Sequence, residues 1–360
     1  MIRWAKWLRA LGSAFLLAGC SFSPLSPPVS PGPAAGTHAA APGQDAGAAP
    51  GAPAAMDAVR VNVFPGASNL PLFVGVERGV FARYGIAVQI INTPNSESQR
   101  AGLARGEFEI AQSAVDNAVA MVEVAGADVA IVAGGDGSMN ELVVRPEVRS
   151  LNDVRGKVLV VDAPNTAYAL VARKILKSQG LVDGVDYRMD PVGGTPLRVT
   201  AMTERADCVA GMLNPPWSFI AESKGLKSLG RQLDLFGPYQ SSGVFVMRGW
   251  GQAHRDLLER YLAASVEATR LAMDPANRDM AVGVLAARLK LERSIAERTY
   301  DALMVPGWGL AADGRFDMAG FRNVLALRAE IEGQWNGHPP PPEKYVDLSF
   351  YDGALRRIGR

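Results

Sequence analysis

Uncharged polar side chains recur directly after short apolar runs in this chain: Ser68-Asn69, Asn92-Thr93, Gln112-Ser113, Asn165-Thr166 with Tyr168, Gly193-Gly194-Thr195, and Asn214. Their chemistry is hydrogen bonding, and such amides and hydroxyls, brought together, would hold a small molecule without reacting with it. Each position has a second reading, because Ser, Thr and Asn are also the preferred caps of a following helix. Asp116 adds a carboxylate that would accept from an amine or cation, or cap a helix start. Trp217 and Tyr239 offer aromatic faces to a flat or apolar ligand, or to a core. The expected ligand contacts are therefore Ser68, Asn69, Asn92, Ser113, Asp116, Asn165, Thr166, Tyr168, Thr195, Asn214 and Trp217. Arg145 and Arg198 are the nearest arginines and read as solvated surface residues, so no bidentate clamp for a carboxylate or sulfonate is expected. That leaves a neutral or weakly anionic small organic molecule as the preferred ligand.

Residues suited to catalysis are sparse. The histidines His38, His254 and His338 are scattered and give little support to general acid–base work. No Cys/His cluster offers a metal site, and no cofactor is expected. Gly134-Gly135-Asp136-Gly137 lacks the Gly-Lys-Ser/Thr ending of a phosphate loop and reads as a turn. The chain is read as a non-enzyme. Its net charge of +1 gives no electrostatic case for nucleic acid or for a charged membrane surface.

The two cysteines, Cys20 and Cys208, have different settings. Ahead of Cys20 stand the basic residues Arg3, Lys6 and Arg9 and a short apolar run over 10–17. That run is far below the roughly 20 residues a membrane-spanning helix needs, so it reads as a secretory signal. Leu17-Ala18-Gly19-Cys20 resembles the lipobox of bacterial lipoproteins. The resemblance implies that 1–19 is removed and that Cys20 becomes the first mature residue, carrying acyl groups such as palmitate. Cys208 is then left without an intramolecular partner and should be buried in its apolar run. Residues 20–57 hold this Cys and a Pro/Ala/Gly linker with almost no large apolar side chains, expected to be disordered. As a tether it would reach on the order of 30 Å as a coil and about 100 Å drawn out as polyproline II.

Beyond the linker roughly 300 residues remain, enough for a large core and two domains. Short apolar runs at 59–63, 87–91, 108–111, 129–132, 158–161, 187–190, 208–210 and 243–247 read as strands. Between them lie helical patterns near 70–83, 96–105, 115–124, 166–179, 196–205 and 215–224. The alternation predicts an α/β fold with mainly parallel sheets. After Trp250 the pattern is helical, near 253–273, 277–289, 294–304 and 318–332. A proline run at 339–342 then leads into a tail helix near 348–358.

Three phrases bring a known family into view. Phe64-Pro65-Gly66-Ala67-Ser68-Asn69-Leu70 leads to Val76-Glu77-Arg78-Gly79-Val80-Phe81 and Tyr84-Gly85-Ile86. Ala104-Arg105-Gly106-Glu107-Phe108-Glu109-Ile110-Ala111 follows, with Glu109 where the family usually has Asp. Leu151-Asn152-Asp153-Val154-Arg155-Gly156-Lys157-Val158 comes third. In order and spacing the chain resembles the substrate-binding proteins of ABC transporters in the nitrate/sulfonate/taurine and thiamine-precursor group, over about 59–350. The resemblance implies a type II periplasmic-binding fold, two α/β lobes with a cleft between them and a helical C-terminal region. Lobe one would be 58–142 plus 247–360, and lobe two 143–246, with hinges near Glu141-Arg145 and Ser241-Val246. Together with the lipobox at Cys20, it points to an exported, lipid-anchored protein facing the periplasm or cell exterior, whose soluble body is expected to be a monomer. Such a protein captures a small-molecule solute and delivers it to an ABC permease in the cytoplasmic membrane, touching the membrane only through its lipid. A ligand sensor for a membrane receptor, or a pyrimidine-precursor enzyme of the same fold, are the alternatives that the resemblance leaves open.

Overall fold

The computed structural model describes residues 55–359. The leader, the lipidation expected at Cys20 and nearly all of the linker lie outside the described residues. Val59, Val61 and Val63 are fully buried in strand β1 (Asp57–Val63), which opens the first sheet. There follow α1 (Leu70–Glu77), α2 (Val80–Arg83), β2 (Ile86–Asn92), α3 (Ser96–Ala104), β3 (Ile110–Ala114), α4 (Asp116–Ala125) and β4 (Val129–Gly134). The pattern read as one helix over 70–83 breaks because Gly79 turns left-handed at φ 66°, a conformation that side chains with a Cβ rarely adopt.

The chain then crosses to a second sheet. It builds β5 (Glu141–Val144), β6 (Val158–Val161), α5 (Ala167–Lys177), β7 (Arg188–Pro191), α6 (Thr195–Glu204), β8 (Cys208–Leu213), α7 (Trp217–Ser223), β9 (Lys227–Arg231) and α8 (Gln232–Phe236). It returns through β10 (Ser242–Met247) to α9 (Arg248–Ala253), α10 (Arg255–Met273), α11 (Arg278–Leu289), α12 (Arg293–Leu303), α13 (Met318–Glu332) and α14 (Ser349–Arg357).

Both sheets have five strands, in the orders β2-β1-β3-β10-β4 and β7-β6-β8-β5-β9. Around β1 and around β6 the pairing is parallel, as the alternation predicts. The exceptions share one cause. Each sheet takes in one strand that arrives from the other lobe, and that strand runs against its neighbours: β10 against β3 and β4, β5 against β8 and β9. The crossings are thus 135–140 and 237–241, while the stretches expected to hinge are largely strands β5 and β10. At the first crossing Gly135 packs on Ser242 and Gly137 on the backbone of Gly307, so closely that a Cβ at either would collide. The Gly-Gly-Asp-Gly stretch is glycine-rich because backbone or side chains of Arg315, Ser242 and Gly307 press on Gly134, Gly135 and Gly137 in turn.

Strand β9, Lys227-Ser228-Leu229-Gly230-Arg231, has no apolar run to reveal it, because it is an edge strand with partly exposed residues. Helix α5 shows the amphipathic logic best. Ala169, Leu170, Ala172, Ile175 and Leu176 are buried, while Arg173 and Lys174 reach across to ion pairs with Glu332 and Glu330 of α13. Helix α13 thereby ties the C-terminal region to the second lobe. Cys208 is free and fully buried, as an unpaired thiol should be, and burial pushes its pKa up to about 11. No helix among the described residues is long and apolar enough to cross a membrane.

On α13, Phe321 is fully buried, with its ring edge-on to Phe316 at 5.3 Å and to Tyr345 at 6.0 Å. Phe321→Ala removes a ring from the shared core and is expected to cost about 3–5 kcal/mol in chemical denaturation. A loss below about 1 kcal/mol would show that α13 is not part of the cooperative core.

Candidate functional site

In α/β folds the amides and side chains that follow parallel strands gather at the carboxyl edge of the sheet. Here both lobes turn that edge towards one cavity of about 70 Å³. This is room for about five water positions, which suits a small solute. The first lobe contributes the β1–α1 loop with Ser68 and Asn69, then Ser96 at the start of α3, Gln112 and Ser113 of β3, and Asn117 of α4. The second contributes Asp162 after β6, Thr166 and Tyr168 at the start of α5, Thr195 and Arg198 of α6, and Asn214 after β8. Asp136 reaches it from the first crossing and Ser242 from the start of β10.

Seven of the residues expected to touch a ligand line this cavity: Ser68, Asn69, Ser113, Thr166, Tyr168, Thr195 and Asn214. Several also brace it. The Asn69 amide donates to the carbonyls of Phe64 at 2.6 Å and Gly66 at 3.1 Å, fixing the β1–α1 loop. Ser113 donates to Gln99, whose amide donates to Asn62 Oδ1 at 2.9 Å, so the floor of the first lobe is a buried polar network. Thr166 donates to the Ala163 carbonyl at 2.8 Å, and Thr195 to Asn214 Oδ1 at 2.9 Å.

Four expected residues stand elsewhere. Asn92 is exposed at the end of β2, the edge strand of the first sheet, and does not line this cavity. Asp116 neither caps α4 nor meets the cavity. It is buried in a two-toothed ion pair with Arg328 of α13, at 2.6 and 3.2 Å, with both side chains at most 2% exposed. Arg328 also donates to the carbonyl of Asn165 at 3.1 Å, so Asn165 serves a contact between lobes. Trp217 does the same, its indole donating to the Pro65 carbonyl at 2.9 Å.

These contacts belong to a wider set that closes the lobes on each other. The Ser96 amide donates to both oxygens of Asp162 at 3.1 and 3.3 Å, and the Gly194 amide to the Pro94 carbonyl at 3.0 Å. On the far side Arg298 of α12 pairs with Glu222 of α7 at 2.6 Å. Asp162 was legible in principle, because it directly follows β6, where ligand residues are sought.

Arg198 is the main correction to the sequence reading. On α6 the apolar Leu197 is 48% exposed, while Arg198 beside it is only 2% exposed. The guanidinium donates through Nη2 to Thr195 Oγ1 at 2.7 Å and lies over the Tyr168 ring, 5.2 Å from its centre. Its Nε and Nη1 have no partner. Burial pulls its pKa below the ordinary arginine value, opposed by the nearby charge of Asp162. Burial also pushes the Tyr168 hydroxyl up to about 12 and the Asp136 carboxyl up to about 6, the latter against hydrogen bonds from Ser242 and Ser241. Arg145 instead donates to the Met202 carbonyl at 2.9 Å and pairs with Glu147, away from the cavity.

Comparison with curated protein sequences gives no match. The periplasmic nitrate-binding protein NrtA from Synechocystis superposes with a TM-score of 0.71 at 12% identity, over 84% of this chain and 89% of that one. The alkanesulfonate-binding protein SsuA from Xanthomonas axonopodis pv. citri, bound to MOPS, gives 0.65 at 16% identity, over 80% and 96%. The desulfurization enzyme DSZB gives 0.58 at 15% identity, over 84% and 100%. At such identities the likeness is one of fold, two α/β lobes around a cleft. The sequence itself matches the family model described as NMT1/THI5 like over residues 67–277, more than half of the chain. This chain belongs to the NMT1/THI5-like family.

Proposed function

We propose that the protein captures a small organic molecule or anion outside the cytoplasm and delivers it to an ABC permease in the cytoplasmic membrane. The observation that carries this reading is the cavity itself, lined from both lobes and set against the two crossing segments. A solute that touches both lobes prefers the closed form, and so shifts an open–closed equilibrium by that preference. The crossings are short enough to absorb the backbone change while each lobe moves as a rigid unit. Nitrate- and alkanesulfonate-binding proteins of the same fold support capture.

In this reading the protein is a monomer, and acyl groups on Cys20 hold it at a membrane facing the periplasm or cell exterior. Residues 21–57 act as the tether. More than one acyl chain gives stable anchoring, where one chain binds only marginally. Catalysis is set aside, although the fold also serves a desulfurization enzyme.

A thermal-shift panel of sulfonates, nitrate, carboxylates and pyrimidines should yield a stabilising solute. At about 100 times its dissociation constant the linkage is roughly 2.7 kcal/mol, a rise of a few degrees in melting temperature. The solute should be recovered unchanged; a converted product would favour an enzyme. In cells, Cys20→Ala is expected to move the protein out of the membrane fraction. Continued partition of that variant with membranes would remove the lipid anchor from this account.

A further inference from the structure

The charges around the cavity are unevenly matched. Its lining holds one cation, Arg198, and two carboxylates, Asp136 and Asp162. Both carboxylates are engaged: Asp136 accepts from the Ser242 hydroxyl, and Asp162 accepts from the Ser96 amide. Arg198 is not. Its one hydrogen bond goes to Thr195 Oγ1, and two of its three nitrogens are buried without a partner. A guanidinium does not give up its proton in proteins, so the positive charge stays. The Tyr168 face, at 5.2 Å, offers a cation–π contact but no acceptor atom. Retaining a buried, half-partnered cation is costly unless something else completes it.

We propose that the solute carries a single negative charge held by Arg198, and that Asp136 and Asp162 exclude dianions. This rests on the reading of the cavity as the solute site. A neutral isostere would close the lobes over a guanidinium whose Nε and Nη1 gain no charged acceptor. A dianion would satisfy Arg198 with one group and, in a cavity of about 70 Å³, bring the other against a carboxylate. Like charges at low dielectric repel strongly, so the discrimination works in both directions. The sequence reading of a neutral or weakly anionic ligand is thereby narrowed to the anionic side.

Calorimetric titration of the purified protein separates these cases. The probes are propanoate, its amide propanamide and the dianion malonate, with nitrate and methanesulfonate as further monoanions. At least one monoanion is expected to bind, with propanamide and malonate about 100-fold weaker than that monoanion or showing no heat. Arg198→Met should abolish monoanion binding while the ligand-free melting temperature stays level or rises, because an unpaired charge has been removed. Arg198→Lys keeps the charge; it should still favour propanoate over propanamide, which guards against a folding defect in the first variant. Propanamide or malonate binding as tightly as the best monoanion would overturn the charge assignment and leave solute capture standing. So would undiminished monoanion binding by Arg198→Met, or binding of neutral solutes alone. If neither these probes nor the wider thermal-shift panel binds, capture itself fails and this inference falls with it.

Discussion

One buried carboxylate joins the two places where the chain passes between lobes. Asp136 sits in the first crossing. Its backbone carbonyl accepts the amides of Ser241 at 3.1 Å and Ser242 at 3.4 Å, and its amide donates to Ser242 Oγ at 3.0 Å. Its side chain accepts from the same hydroxyl. The segments are 106 residues apart in sequence, yet they form one joint. The antiparallel guests β5 and β10, the glycines that allow close approach and the cavity all border this contact. Its cost is visible in the raised pKa of Asp136, since the carboxylate has given up water for hydroxyls and amides.

Around that joint, closure is a sum of modest contacts, each with a partner in the opposite lobe. Trp217 meets Pro65, Asp162 meets Ser96, and Arg328 braces both Asp116 and Asn165. Exposed ion pairs such as Arg298–Glu222 add little each, as surface pairs generally do. Under the proposed function, a balance of this kind would let a small solute decide the position of the equilibrium, because the lobes are neither welded together nor free of each other. Arg198 adds a bias of its own. Closed and empty, it buries a charge without a full set of acceptors, so the empty closed form carries a penalty that an anion would relieve.

The sequence announced the parts of this structure that depend on local order. The eight apolar runs all lie in or against strands, and the loops behind them supplied seven of the cavity residues. What escaped were features settled by distant packing. The sequence marks β5 only as a hinge and β9 not at all, because neither is identified by a long apolar run. Asp116 looks like a helix cap until α13, 212 residues later, delivers Arg328. The spacing of Leu197 and Arg198 gives opposite answers for burial depending on whether α6 faces a core or a cleft. Hydrophobicity favours the core reading, and the cleft reverses it. Polar residues at functional surfaces often invert local rules in this way.

The central claim is that the lobes close over a bound solute about the Asp136 joint. Small-angle X-ray scattering of the purified protein, alone and saturated with a stabilising solute, tests it most directly. The account predicts a smaller radius of gyration with solute, and a bound-state curve that matches the closed structure described above. Identical curves with and without a solute that demonstrably binds would contradict it.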